Sequence, residues 1–162
     1  MTGVQTCALP ILGQITAGGR SVSGFLLDTN IVSQLIKPKP ESTVVKWIDT
    51  TDEALLFLSV LTIGEIRKGI ASHPDARRRA KLEAWLLSDL QVRFAGRILV
   101  IDAGIAERWG RLTAEREQAG KPLAVIDGLL AATAHHHNLA FVTRNPGDLV
   151  GTGVSLFNPW LD

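Results

Sequence analysis

The sequence predicts a three-layer α/β/α sandwich on a central, mostly parallel sheet. Short runs that are apolar throughout, as buried strands are, alternate with longer segments of helical periodicity. Strands joined through helical crossovers place helices on both faces of the sheet. A chain of 162 residues, 46% of them hydrophobic, supplies one domain with a proper core and leaves little room for a second.

Composition narrows the function classes. Lys and Arg number 17 against 16 Asp and Glu, so bulk charge gives no sign of a strongly basic nucleic-acid binder or an acidic tail. The single cysteine, Cys7, rules out an intramolecular disulfide framework and any Cys-rich zinc or iron–sulfur site. It is compatible with a reducing cytosol, and a cytoplasmic location is expected. No apolar run reaches the roughly 18 to 20 residues that span a bilayer, so no membrane role is expected.

Residues 1–23 hold one charged residue, Arg20, and the stretch from Ala17 to Ser21 reads as flexible loop. A signal peptide would need a basic start before its apolar region, and 1–12 has neither Lys nor Arg and is interrupted by Gln5 and Pro10. Residues 1–11 instead resemble a translated sequencing adapter. The expectation is a non-native or disordered extension over 1–23 and one domain over 24–162, the latter without cysteine and with 16 basic and 16 acidic residues.

Phe25-Leu26-Leu27 reads as a buried strand closing on Asp28-Thr29-Asn30, a helix N-cap pattern. Residues 31–36 form a short helix before the break at Lys37-Pro38-Lys39-Pro40, and 41–49 a second with Val44, Val45 and Ile48 as its apolar stripe. A strand follows over 54–59. Thr62 and Glu65 have capping-box spacing and open a helix to about Ala71. Pro74 begins a long polar helix through Leu90, and 97–101 is the third strand. Residues 103–117 are helical, with Ile105, Trp109 and Leu112 on one face. An Ala- and Leu-rich helix covers 124–137, then come a strand at 140–143 and a weaker one at 154–157.

Ligands of open parallel sheets bind beyond the carboxyl ends of the strands. Asp28 ends the first strand, Glu65 lies one helical turn beyond the second, Asp127 sits in the helix before the fourth, and Asp148 in the loop after it. Clustered carboxylates raise one another's pKa unless a cation neutralises them. Mg²⁺ or Mn²⁺, hard ions that take oxygen ligands and keep several waters, would resolve the conflict. Such an ion can activate water and neutralise phosphate oxygens, which permits phosphodiester hydrolysis. Each acid also has a plainer reading. Asp28 can be an N-cap, Glu65 the N3 member of the capping box, and Asp148 a turn residue after Asn145-Pro146-Gly147. Asp127, set in Leu123-Ala124-Val125-Ile126-Asp127-Gly128-Leu129-Leu130, is the informative one, because an unpaired carboxylate among apolar neighbours is costly.

In four strings the sequence resembles the PIN-domain ribonucleases, and within them the VapC-type toxins of bacterial type II toxin–antitoxin pairs. They are Phe25-Leu26-Leu27-Asp28-Thr29-Asn30, Leu61-Thr62-Ile63-Gly64-Glu65-Ile66-Arg67-Lys68-Gly69, the segment from Pro122 to Ala134 around Asp127, and Phe141-Val142-Thr143-Arg144-Asn145 with Asp148. The resemblance spans about Gly24 to Trp160. It implies a PIN-like fold and a Mg²⁺-dependent endoribonuclease, with Mn²⁺ as a possible substitute. Asp28, Glu65 and Asp127 match the family's three defining metal-site acids, and Asp148 the more variable fourth. Thr29, Asn30, Thr143 and Asn145 match polar residues that orient a carboxylate or a metal-bound water. The resemblance further implies a cognate antitoxin whose C-terminal segment occupies the acidic groove, and a homodimer. Two departures stand out: the Met expected just before the first strand is absent, and Pro146-Gly147 makes the loop carrying Asp148 unusual.

An electronegative groove needs cations outside it to hold RNA. Between Ile63 and Arg97 eight basic residues face four acids, and Arg67, Lys68, Arg77, Arg78 and Arg79 are the candidate phosphate contacts. The alternative is an ordinary solvated helix surface with pairs such as Arg79 and Glu83 at i, i+4.

Other signals are weaker. Consecutive His135, His136 and His137 point about 100° apart on a helix and cannot jointly ligate one zinc ion. Trp47, Trp85, Trp109 and Trp160 read as core or interface aromatics. No P-loop, GxGxxG or Ser/Cys nucleophile motif occurs. An aspartyl-phosphate phosphatase using Asp28 would want a second acid two residues on, where Asn30 stands. The remaining alternative is a non-catalytic PIN-like module that binds RNA or protein.

Overall fold

The computed structural model describes residues 15–161. Residues 1–11, with Cys7, lie outside this range, so their adapter-like reading concerns residues not described. Strands β3 (Phe25–Leu27), β4 (Leu56–Ser59), β5 (Ile98–Leu99), β6 (Ala140–Val142) and β7 (Leu156–Phe157) form one sheet in the order β5-β4-β3-β6-β7, every pair parallel. Neighbouring strand residues point to opposite faces, and the core divides accordingly. Phe25, Leu27, Ala140 and Val142 pack with Ile31, Val32, Val44, Ile48 and Ile70 on one side. Leu26 and Phe141 pack with Leu130, Ala131 and Ala134 on the other. The three-layer expectation holds. No described helix is long and apolar enough to cross a membrane.

The helices are α1 (Thr29–Val32), α2 (Ser42–Thr50), α3 (Val60–Ala71), α4 (Ala76–Ala84), α5 (Gln91–Arg93), α6 (Ala103–Gln118) and α7 (Val125–His136). Their order follows the sequence expectation, and the differences lie at boundaries. Helix α1 begins at Thr29 and tightens into a 3₁₀ turn at Ser33–Leu35. The strand expected from residue 54 starts at Leu56, because Asp52 accepts from the Ala54 N–H and caps a 3₁₀ turn at Glu53–Leu55. The long helix expected through Leu90 becomes α4 followed by a π-helical stretch at Trp85–Leu90, which turns Leu86 and Leu90 into the core.

Two corrections have clear causes. The flexible loop read from Ala17 to Ser21 is instead part of a paired hairpin, so the extension expected to be disordered is ordered from Ile15 on. Strands β1 (Ile15–Ala17) and β2 (Arg20–Val22) pair antiparallel, and Ala17 and Val22 are buried. Gly18 and Gly19 take φ of +57° and +75°, the left-handed pair a two-residue hairpin turn requires. The capping box at Thr62 and Glu65 also fails. Ser59 caps α3 instead, its hydroxyl accepting from the Leu61 N–H at 3.1 Å, so Thr62 and Glu65 lie inside the helix.

One polar network ties the start of β4 to the approach to β5. Arg93 and Arg97 both donate to the Glu53 carboxylate at 2.8 to 2.9 Å, and Arg97 also donates to the Glu53 and Leu56 carbonyls. The two guanidiniums lower the Glu53 carboxyl from its ordinary 4.5 to about 2. A lowered carboxyl stabilises the fold above its unfolded pKa and loses that contribution as pH falls through the native value. Glu53 is 45% exposed, so solvent screening limits the pair to surface magnitudes. Glu53→Gln is expected to cost about 1 kcal/mol near neutral pH. Denaturant midpoints of variant and wild type should converge as pH drops from 4.5 toward about 2.

Candidate functional site

Asp28 is the first residue beyond β3, and its N–H donates to the Val142 carbonyl at 3.0 Å, extending the β3–β6 ladder. This register sets Asp28 beside Thr143. One carboxylate oxygen, Oδ1, accepts from the Thr29 N–H at 2.7 Å and caps α1. The other, Oδ2, accepts from Thr143 Oγ1 at 2.7 Å and Asn30 Nδ2 at 3.0 Å. Asp28 is therefore both an N-cap and the centre of a polar network. An ionised carboxylate has about four acceptor sites, so roughly one remains open.

The residues around Asp28 hold one another. Thr143, 2% exposed, accepts from the Asn145 N–H at 3.2 Å. Asn30 Oδ1 accepts from the Arg144 N–H at 3.4 Å. Thr29 Oγ1 donates to Glu65 Oε2 at 2.6 Å, which connects Glu65 on α3 to the β3 end. With the capping box gone, this hydroxyl is the partner Glu65 has.

Asp127 in the first turn of α7 and Asp148 in a 3₁₀ turn at Gly147–Leu149 complete a cleft of about 250 Å³. Asp28, Asp127, Thr143, Asn145 and Asp148 line it over an apolar floor of Phe141 and Leu149. Three of the four acids, and all but Thr29 and Asn30 among the polar candidates, thus meet in one space. Glu65 is joined through Thr29 rather than lining the cleft. Burial raises the Asp28 carboxyl above its ordinary range, with the Glu65 charge adding, against the hydrogen bonds from Thr143, Thr29 and Asn30. Burial likewise raises Asp127, helped by the negative charges of Asp28 and Asp148.

Among the described residues no three His, Cys, Asp or Glu side chains form a ready-made metal-ligand set. Mg²⁺ commonly keeps several waters and takes only one or two carboxylates. The oxygen donors of Asp28, Asp127, Thr143, Asn145 and Asp148, and two carboxyls whose ionisation is opposed by neighbouring negative charge, suit such a hard cation.

The basic candidates sit apart. None of Arg67, Lys68, Arg77, Arg78 and Arg79 lines the cleft. Arg67 is paired with Glu83 at 2.5 Å, and Arg79 donates to the His73 carbonyl at 2.7 Å. The histidine run ends α7 at the far edge of the sheet, where the Asn138 carbonyl meets the Ser23 N–H, and His135 Nδ1 lies 2.6 Å from Arg108.

Sequence reasoning missed Arg116. From α6 its guanidinium donates to the carbonyls of Asp148 and Val150, both at 3.2 Å, and so anchors the turn that carries Asp148. Nothing in the local pattern around Arg116 signals this, because the partners lie more than thirty residues away.

Comparison with known proteins agrees with this architecture. Residues 25–147 match the PIN domain family model. The chain is 36% identical to Toxin FitB of Neisseria gonorrhoeae over 138 residues, covering 85% of this chain and 99% of that protein. It is 34% identical to VapC ribonuclease Y4jK of Sinorhizobium fredii over 136 residues, 84% of this chain and 97% of the relative. The crystal structure of FitAcB from Neisseria gonorrhoeae superposes with a TM-score of 0.80 at 35% identity, over 84% of this chain and 98% of that one. A toxin–antitoxin complex from Klebsiella pneumoniae shares the fold with a TM-score of 0.57 at 26% identity, over 84% and 98%. With its model matched over most of the chain and relatives aligned along nearly their whole length, this chain belongs to the PIN domain family.

Proposed function

We propose that this protein is a divalent-metal-dependent endoribonuclease acting as the toxin of a toxin–antitoxin pair, its activity residing in residues 24–162. The observation that carries the reading is the single cleft at the carboxyl edge of the sheet onto which Asp28, Asp127 and Asp148 open. The likeness to a VapC ribonuclease and to Toxin FitB supports RNA as substrate and an antitoxin as partner.

Asp28, Asp127 and Asp148 would hold Mg²⁺ or Mn²⁺, with Glu65 acting beside them through Thr29. When bound, the ion would lower the pKa of a coordinated water and neutralise charge on the phosphate oxygens. The chain's own groups prepare the site. Thr143 and Asn30 hold Asp28 Oδ2, and the Thr29 N–H holds Oδ1, so the carboxylate keeps one orientation. Asn145 also lines the cleft, and its side-chain amide can donate to a phosphate oxygen or a water. Phe141 and Leu149 supply apolar surface to the cleft, which lowers the local dielectric and strengthens the polar contacts beside it. A homodimer belongs to the same proposal.

Incubating the purified protein with RNA in Mg²⁺ and in EDTA tests the reading. Cleavage is expected in Mg²⁺, partly retained in Mn²⁺, and lost in EDTA. A Mg²⁺ concentration of 100 times Kd should also raise stability by about 2.7 kcal/mol, visible as an upward shift in Tm. Undiminished cleavage in EDTA, or neither cleavage nor a Mg²⁺-dependent shift, would overturn it.

A further inference from the structure

One cation stands between two residues of the acidic site, and the proposed mechanism does not use it. Arg144 follows Thr143, which donates to Asp28, and precedes Asn145, which lines the cleft. Its backbone is held from both sides: its N–H donates to Asn30 Oδ1, and its carbonyl accepts from Asn158 Nδ2 at 3.2 Å. The same Asn158 accepts the Trp160 N–H at 3.0 Å, so one side chain positions both residues. The exposed Arg144 guanidinium lies over the Trp160 ring, 5.6 Å from its centroid, and Trp160 is packed against the core.

Arg67, Arg93, Arg97 and Arg111 each pair with a glutamate. Among the described residues Arg144 forms no ion pair, although carboxylates build the cleft beside it. An aromatic face orients a guanidinium without neutralising it, and the planar fork then remains available to an external anion. Phosphate matches that fork with two parallel hydrogen bonds. A polyanion approaching a cleft of carboxylates also needs a cation near it, and Arg144 is the immediate chain neighbour of both Thr143 and Asn145, which line that cleft.

We propose that Arg144, held over Trp160, grips a backbone phosphate of the RNA strand adjacent to the one that enters the acidic cleft. This rests on the ribonuclease reading and adds a substrate contact to it.

The test measures binding of single-stranded RNA to the full chain carrying Asp127→Asn, with and without Arg144→Gln, across a salt series. Loss of one phosphate contact should reduce the slope of log K against log salt by about 0.7 and weaken binding similarly across RNA sequences. Arg144→Lys should recover the slope, because it restores the charge, while recovering affinity only in part. Trp160→Leu should lower affinity with the slope retained, provided its thermal unfolding shows an intact fold. In the otherwise unchanged protein, Arg144→Gln should raise KM severalfold with a smaller change in kcat, as loss of uniform binding does. An unchanged salt slope together with an unchanged KM for Arg144→Gln would overturn the inference. The ribonuclease reading fails separately, if the wild type cleaves no RNA in Mg²⁺, and the salt slope still decides the Arg144 contact in that case.

Discussion

Asp127→Asn is expected to reduce Mg²⁺-dependent RNA cleavage by at least about a hundredfold, since loss of groups that merely support a metal ligand already costs 10- to 100-fold. Asparagine keeps the shape and removes the charge. At this position it also disturbs little else, because the forces acting on the Asp127 carboxyl are burial and the repulsion of Asp28 and Asp148. Stability should therefore move the other way. A carboxyl held above its unfolded pKa stabilises the fold below the ordinary value of 3.8, and that contribution disappears as pH rises through the higher native value. In EDTA at neutral pH the variant should be at least as stable as the wild type, and the advantage should vanish on the acid side. Urea midpoints across that range, beside cleavage rates in Mg²⁺, check both signs. Asp28→Asn should lose cleavage equally but should also lose stability, since both carboxylate oxygens accept hydrogen bonds and an amide would turn its NH2 toward one of those donors. Retained cleavage in both variants would remove these residues from the chemistry.

Thr143→Val should weaken Mg²⁺ binding and cleavage by about 10- to 100-fold while leaving every carboxylate in place. Valine matches threonine in shape and lacks the hydroxyl. That hydroxyl donates to Asp28 Oδ2 at 2.7 Å, accepts from the Asn145 N–H, and is 2% exposed. Its bond is the largest influence opposing the rise of the Asp28 carboxyl. Without it the proton competes better, so the pH midpoint of Mg²⁺ binding should move upward. Unfolding free energy should fall by about 1 kcal/mol, because Asp28 Oδ2 loses a donor and the Asn145 N–H loses its acceptor. Thr143→Ser should restore most of the binding. Calorimetric Mg²⁺ titrations at several pH values separate this from misfolding, which would abolish binding without shifting its midpoint.

Much of the fold was legible in the sequence because its signals are local. The apolar run Phe25-Leu26-Leu27 ending on an acid, the alternation of strand and helix, and the carboxylate amid the apolar start of α7 all depend on neighbours in the chain. Misreadings arose where two local signals competed. Ser59 and Thr62 are both capping residues, and Ser59 wins because β4 pairs with β5 up to Ser59, opposite Leu99, so the helix must start directly after it. The Gly18-Gly19 pair reads as loop, and the pairing of Ile15–Ala17 with Arg20–Val22, with Ala17 and Val22 buried, makes it a hairpin turn.

The sequence by itself determined the order of elements and brought Asp28, Asp127 and Asp148 to the carboxyl edge, since periodicity and residue type act over a few positions. Only the tertiary structure decided what surrounds those acids. Glu65 is tied to Thr29 across 36 positions, Thr143 to Asp28 across 115, and Arg116 to the Asp148 carbonyl across 32. Such contacts depend on sheet register and helix packing, which place side chains from distant segments within about 3 Å of one another, the range in which a hydrogen bond forms.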